Sequence, residues 1–478
     1  MSGNTDMRSL HRPIALLADI RFWVLVLVLV RLIGITNPPL ETAHHWRQTT
    51  VAMVARNYHE HGIDLMYPRV DMAGERSGIT GMEVPLLSAA IAVISGPFGY
   101  AHWYGRIIAL LLCSAGLLAY HSLVRKYFSD ETAFYSTLVL GVSLWFSYGR
   151  KIMPDVPSTS LVLIGLAFAA KALQGGRIRL LGPAAAFCMA LGTAMKLPSG
   201  YLMVLLPAMV LFSPATKRDR WILMGLVCLF QLPVLWWYFS WAPHLDELGG
   251  YTHFFMGNGI GKGLQELLHA PIRVLDNFYF DALRFSGAAL AVAGLVMAFA
   301  RRERVLLMIV MLVSLSFFFV MLKAGAAFWK HAYYVVPFIP LLALLAGSAL
   351  VRVSNWRWRV ALLVLVATEG LANQWQDLRI SPTQAPLLNL EAALDQLGDR
   401  GDLIIVNSGS IPTPLYFAHR KGWTCYRDDL ARVGYIDSLT SLGAVWLVQV
   451  RKGYETNVPI MAPAAVITED YAIFRVRP

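Results

Sequence analysis

Side chains able to do chemistry occur in short groups along the chain. The stretch Asn37-Pro38-Pro39-Leu40-Glu41-Thr42-Ala43-His44-His45-Trp46-Arg47-Gln48 brings together a carboxylate, two imidazoles and a guanidinium. Glu83 follows in Gly81-Met82-Glu83-Val84-Pro85-Leu86, then come Arg106, Arg150-Lys151-Ile152-Met153-Pro154-Asp155, Met195-Lys196-Leu197-Pro198 and Lys330-His331-Ala332-Tyr333-Tyr334. A carboxylate can take a proton from an attacking hydroxyl, while Arg and Lys neutralise a phosphate that leaves with growing negative charge. On this reading Glu41, Glu83 and Asp155 are the candidate catalytic groups. His44, His45, Arg47, Arg106, Arg150, Lys151, Lys196, Lys330, His331 and Tyr333 are the candidates for binding a phosphate-bearing substrate.

Each group also has a quieter reading. Glu41 with its His and Arg neighbours could be a solvated loop, and Glu83 a favourable charge at a helix N-terminus. Arg150 and Lys151 could anchor at headgroups, as could Arg31 from within an apolar run. Asp155 could be a helix cap, and Tyr333, Tyr334 and the Trp236-Trp237-Tyr238 group an aromatic belt. His44 and His45 are adjacent rather than four apart, and neither a His-Glu-x-x-His nor a Cys pattern exists. A divalent cation bridging Glu41, a His and a substrate phosphate stays open as the only cofactor expectation. Neither a P-loop nor a dinucleotide fingerprint is present, which disfavours a nucleotide-driven pump.

The elements that must position these groups are membrane spans. With 478 residues, 56% apolar, only 15% charged and a mean hydropathy of +0.53, the chain is too apolar for an ordinary soluble protein. A net charge of +11 would suit nucleic acid, but the Lys and Arg flank apolar runs, where membrane orientation explains them, so no nucleic-acid partner is expected. Cys113, Cys188 and Cys228 lie in apolar runs and Cys425 stands alone, so no disulfide framework is implied. Arg8, Arg12 and Arg21 precede a run that ends in Thr36-Asn37-Pro38-Pro39 without a small-residue cleavage site, which reads as an uncleaved first span.

About eleven stretches approach the length needed to cross: 16–36, 106–124, 132–148, 156–174, 180–196, 199–214, 221–241, 285–300, 304–323, 332–351 and 358–373. With a cytoplasmic N-terminus, Arg125 and Lys126, Lys171 to Arg179, Lys217 to Arg220, Arg301 to Arg304 and Arg352 to Arg359 all fall at cytoplasmic junctions, as the positive-inside rule asks. This requires the stretch 84–99, punctuated by Pro85, Gly96, Pro97 and Gly99, to be interfacial or re-entrant. The expected fold is therefore an all-α polytopic membrane domain over residues 1–373. Its outer loops span 37–105 and 242–284, the first carrying a surface helix from Trp46 to His61 and the second one from Leu264 to Phe280. A small α/β domain should follow over 374–478, with strands at 402–406, 445–450 and 471–476 and helices at 388–397, 412–419 and 436–442. Nearly all the unusual polar residues then lie on the outer face. Such groups are costly at membrane depth, so together they imply a water-accessible cavity with work to do. Outside the cytoplasm the natural phosphate-bearing donor is a lipid, since nucleotide sugars are confined within.

These residues resemble the GT-C glycosyltransferases, and within them the family 39 type, relatives of protein mannosyltransferases and of the lipid A aminoarabinose transferase. His45-Trp46-Arg47-Gln48 followed by Ala55-Arg56-Asn57-Tyr58 resembles a bacterial subgroup's His-x-Arg-Gln helix. Glu83-Val84-Pro85-Leu86, Met153-Pro154-Asp155, Lys196-Leu197-Pro198 and His331-Ala332-Tyr333-Tyr334 resemble its Glu-Phe-Pro-Leu, Pro-Asp, Lys-Pro and His-x-Tyr-Tyr elements, in the same order. The resemblance implies inverting transfer of a hexosyl or pentosyl group from a polyprenyl-phosphate carrier to a lipid, glycan or protein acceptor. The setting would be the outer face of a bacterial inner membrane, among membrane lipids. Where the family most often has an Asp-Glu pair before the helix, this chain has Arg47 and Gln48. The base is therefore expected to be Glu41, with Glu83 or Asp155 next. A transporter or lipid flippase of the envelope pathway is the rival reading; it would want charges spread through the membrane depth and repeat symmetry.

Overall fold

The computed structural model describes residues 16–175, 177–253, 257–454, 457–460 and 463–477. Arg8 and Arg12 of the basic N-terminus lie outside the described residues. Every stretch read as a span is helical, and the sequence shows why the helices start and stop where they do. Helix α1 (Ile20–Arg31) is capped by Asp19, whose carboxylate accepts from the Arg21 amide at 2.9 Å. Helix α2 (His45–His61) ends at Gly62, whose φ of 95° opens the following turn. Helix α3 (Leu86–Phe98) starts after Pro85, and α4 (Trp103–Tyr127) is long enough to cross. Ser129 caps α5 (Asp130–Val142), with Asp130 and Glu131 favouring its first turn. Helices α6 (Asp155–Gly175) and α7 (Ile178–Met195) lie against each other, with Gly192 so close that a Cβ there would sit 2.6 Å from the Ser158 carbonyl. The remaining helices of the bundle include α8 (Lys217–Trp236), α9 (Arg284–Ala300), α10 (Arg304–Ala324), α11 (Ile339–Val351) and α12 (Trp356–Gln374).

Six helices among the described residues are long and apolar enough to cross a membrane, or seven if the pair Pro271–Ala282 and Arg284–Ala300, bent by 100°, forms one span. Of the rest of the expected eleven, 358–373 forms the 19-residue helix α12, and the others are shorter or broken. The stretch 199–214 divides into a 3-10 turn (Leu197–Val204) and a short α-helix (Leu205–Leu211). The stretch 84–99 forms only the 13 residues of α3, about 20 Å of rise against a hydrocarbon core of about 30 Å, and Pro97 falls inside it. In the stretch 242–284 Pro271 divides the expected helix into Ile260–His269 and Pro271–Asp276, the latter continuing into a π-helical turn.

The tail forms a five-stranded sheet in the order β2-β1-β3-β5-β4. Its strands are β1 (Leu403–Val406), β2 (Gly422–Thr424), β3 (Ala444–Val450), β4 (Ala464–Ile467) and β5 (Tyr471–Arg475). β1 runs parallel to β2 and β3, while β5 is antiparallel to β3 and β4. Strands β2 and β4 were not anticipated from sequence; one is three residues long and the other alternates half-buried and exposed positions at the sheet edge. The tail does not stand apart. Leu40, Met53 and Val54 of the stretch 37–105 share one apolar core with Leu390, Ile404 and Leu415. Arg56 of α2 reinforces the join, pairing with Asp71 at 2.9 Å and donating to the Tyr416 carbonyl at 2.8 Å.

Candidate active site

Helix α2 distributes the first polar group between two places. Arg47 and Gln48 are adjacent, so at 3.6 residues per turn they point about 100° apart. The structure uses this to build two clusters where the sequence reading expected one wet chamber.

Gln48 faces a sealed cluster. Its amide donates to Glu41 at 2.7 Å and accepts from the Ile152 backbone at 3.1 Å. Glu41 pairs with Arg106, which is fully buried and also donates to the Pro38 carbonyl at 3.3 Å. Burial pushes the Glu41 carboxyl upward, but Arg106 and then Lys151 outweigh it and hold it below the usual range. Arg150 donates to the carbonyls of Ile33 and Gly34 at 2.5 and 2.7 Å. Lys151 donates to the Ala43 carbonyl at 2.7 Å and pairs with Asp377 at 3.1 Å. His45 turns toward the tail, where its Nδ1 meets the Thr413 hydroxyl at 2.8 Å. Arg31 is also buried, donating to the Gly141 carbonyl at 2.8 Å rather than reaching a headgroup. Each of these cations reaches a backbone carbonyl or a carboxylate, while Arg31 Nε, Arg106 Nε and Nη1 and Arg150 Nε are buried without hydrogen-bond partners. Burial without a partner would cost several kcal/mol, which is why the partners are there.

Arg47 faces the second cluster. It pairs with Glu83, and both line a narrow cavity of about 20 Å³ with Val84, Pro85, Pro154 and Met195, room for about one water. Val51 and Val54 line it too, four and seven residues after Arg47 on the same helix face. Asp155 begins α6 and Lys196 ends α7, each at the helix end that favours its charge, and they pair at 3.3 Å. The second Asp155 oxygen, Oδ2, is buried without a hydrogen-bond partner. Lys196 Nζ lies 5.0 Å from the centre of the Tyr333 ring and 5.6 Å from that of Tyr334. His331 stacks on Tyr333 at 5.3 Å and Trp46 lies 5.3 Å from His331. His44, held at the left-handed φ of 58°, meets the Tyr148 hydroxyl at 2.7 Å and the Tyr333 ring at 5.1 Å.

Burial pushes Glu83 upward, but Arg47 and Lys196 outweigh it, leaving the carboxyl below the usual range. The nearby imidazoles are kept neutral. Burial, helped by Lys151, lowers His44 to about 3, and burial with Lys196 and Lys330 lowers His331 to about 4. His253, from the second outer loop, is lowered to about 4 by burial and Arg47. Lys330 stands apart: it is exposed, 5.4 Å from the ring of its own neighbour Trp329.

Of the expected site residues, the structure brings together Arg47, Glu83, Asp155, Lys196, His331, Tyr333 and His44. It places Glu41, Arg106, Arg150, Lys151 and His45 in the sealed cluster. The cation bridge from Glu41 through a His finds no support in this arrangement, since Glu41, His44 and His45 are held by Arg106, Tyr148 and Thr413 respectively. Among the described residues no three or more His, Cys, Asp or Glu side chains converge as metal ligands. Sequence reasoning missed Tyr148, His253, Asp377 and Thr413. Tyr148 directly precedes the Gly149-Arg150-Lys151 group, a usable signal; the other three come from distant segments that nothing local connects.

Residues 83–237, less than half of the chain, match the model of the dolichyl-phosphate-mannose-protein mannosyltransferase family. That segment contains Glu83, Asp155 and Lys196. No curated protein sequence matches the chain. Among solved structures, it is similar to ArnT from Cupriavidus metallidurans in the apo state, with a TM-score of 0.59 at 16% identity, covering 95% of this chain and 97% of that one. The same ArnT bound to undecaprenyl phosphate gives a TM-score of 0.58 at 14% identity, with the same coverage. The Archaeoglobus fulgidus oligosaccharyltransferase in the apo form gives 0.57 at 11% identity, covering 90% of this chain and 70% of that chain. The chain thus shares the fold of ArnT and of the archaeal oligosaccharyltransferase, and the family match falls on the segment that supplies both helix-end charges of the second cluster.

Proposed function

We propose that the protein transfers a sugar from a polyprenyl-phosphate carrier to an acceptor outside the cytoplasmic membrane, with inversion at the anomeric carbon. The observation that carries this reading is the convergence of two carboxylates, Glu83 and Asp155, with two cations, Arg47 and Lys196, at one end of the bundle. Inversion needs one carboxylate to take the proton of the acceptor hydroxyl as it attacks. The carrier phosphate leaves from the opposite face, gaining charge that a cation must meet. Asp155 is the base in this reading: Lys196 pairs with one oxygen, and the other oxygen has a free acceptor site. Glu83 holds Arg47 in place, and Arg47 and Lys196 receive the phosphate. Glu41, enclosed by Arg106 and Gln48, acts by fixing α2.

The fold's likeness to ArnT, which has been solved with undecaprenyl phosphate, supports a lipid-linked donor. The basic junctions at the other end of the bundle support an outward-facing site. The test is transfer by the purified chain in liposomes supplied with polyprenyl-phosphate sugars. Release of the sugar with inverted configuration, lost in Asp155→Asn, is expected; full turnover in Asp155→Asn would return the base to Glu83 or Glu41.

A further inference from the structure

A second cavity, of about 540 Å³, opens at the other end of the bundle. Gln174 lines it, and along α6 that residue is roughly 28 Å of helical rise from Asp155. Its walls are apolar, formed by side chains such as Leu163, Leu166, Leu205, Met209, Val313 and Leu344, in the size range of about 300–1,000 Å³ typical of ligand pockets. Two cations stand in the lining, Lys126 at the end of α4 and Arg304 at the start of α10, and the lining contains no carboxylate. Neither cation has an ion-pair partner among the described residues: Lys126 donates to the Ala170 carbonyl, and Arg304 is exposed. By contrast Arg125, next to Lys126, pairs with Asp130, and Arg352 pairs with Glu303. Arg220 adds a third positive charge beside the lining residues Ser213 and Pro214, donating to the Ala215 carbonyl at 3.0 Å.

We propose that this cavity binds an anionic glycerophospholipid, with an acyl chain among the leucines and the phosphate against Lys126 and Arg304. An apolar slot fits a hydrocarbon chain, and unmatched cations at its rim fit a negative headgroup at the same membrane depth; basic pockets between spans recognise acidic lipids in this way. The carrier lipid of the proposed reaction would place its phosphate at the far end, beside Arg47 and Lys196, so a charged head at this end belongs to a different molecule. Assigning the lipid to the cytoplasmic leaflet rests on the orientation adopted under the proposed function; the binding itself does not.

The test is native mass spectrometry of the full chain extracted from phosphatidylcholine bilayers with and without phosphatidylglycerol. Phosphatidylglycerol should be retained over phosphatidylcholine by on the order of tenfold, from two cations at the headgroup. The double variant Lys126→Gln with Arg304→Gln should lose that preference, and Ala208→Trp, which fills the cavity, should lose the lipid. Gel filtration identifies variants that fail to fold; in that case the preference of the unaltered chain decides alone. Equal retention of the two lipids, or a polyprenyl chain recovered in their place, overturns the inference. Because the readout is lipid retention, its failure alongside intact sugar transfer sinks this inference alone, and the reverse pattern sinks the transferase reading alone.

Discussion

The two clusters on either side of α2 contain the same side chains, carboxylates with Arg and Lys, in different surroundings. Around Glu41 every cation has a carbonyl or carboxylate to hold, and Arg106 is closed off from solvent. Around Asp155 a buried carboxylate oxygen is left without a partner, and the adjoining Arg47 and Glu83 border a cavity. A buried ion pair fixes position, while an unpartnered carboxylate oxygen is what the proposed base requires. Composition does not separate the two, and neither does the pairing alone, since Arg106 and Arg150 also keep buried nitrogens without partners; the cavity beside Arg47 and Glu83 does.

The sharpest break in this comparison comes from the sealed side. Arg106→Met leaves Glu41 as an unpaired buried charge, and removing one partner of such a pair costs about 3–5 kcal/mol. The thermal melting temperature should drop strongly, and the double variant with Glu41→Gln should recover part of the loss; an unchanged melt would show that the pair is not structural. Next in size, Asp155→Asn should lower turnover at least about a hundredfold while the melt stays near that of the unaltered chain. Lys196→Met should weaken apparent donor affinity on the order of tenfold, read as a raised KM, with Lys330→Gln near normal because that ammonium is exposed and outside the cluster. A fall in turnover without a change in KM would remove the phosphate role of Lys196.

A further test is the pH dependence of stability. His44 is held at about 3, and His45, His253 and His331 at about 4, against an ordinary 6.5. Below pH 6.5 the unfolded chain takes up protons that the folded chain refuses, so folding stability must fall as the pH drops from about 6.5 toward 4. Glu41 and Glu83, held below the usual carboxylate range, lose their contribution only in more acid solution. Melts between pH 7.5 and 5 should therefore show a steady decline that His45→Gln makes shallower; a flat profile would mean the imidazoles are protonated in the folded state.

Much of the fold was legible because its signals are local. Apolar runs marked the helices, the α2 helix expected at Trp46 to His61 occurs at His45–His61, and the strand expected at 445–450 lies within Ala444–Val450. The division of the polar residues was not legible, since Arg106, Asp377 and Thr413 reach their partners across long separations in the chain. Glu41 is expected as the base from its place just after the first span, and nothing near it in sequence reveals its pairing with Arg106.

By itself the sequence determined the class of environment and the chemistry on offer. Hydropathy imposed helices on a chain that must satisfy its backbone within a bilayer, and the order of short motifs carried the GT-C resemblance. Tertiary structure alone decided which charges are matched and which are left able to react. That outcome depends on contacts a few ångströms long between residues brought together only by packing, where burial turns a missing partner into a large free-energy difference.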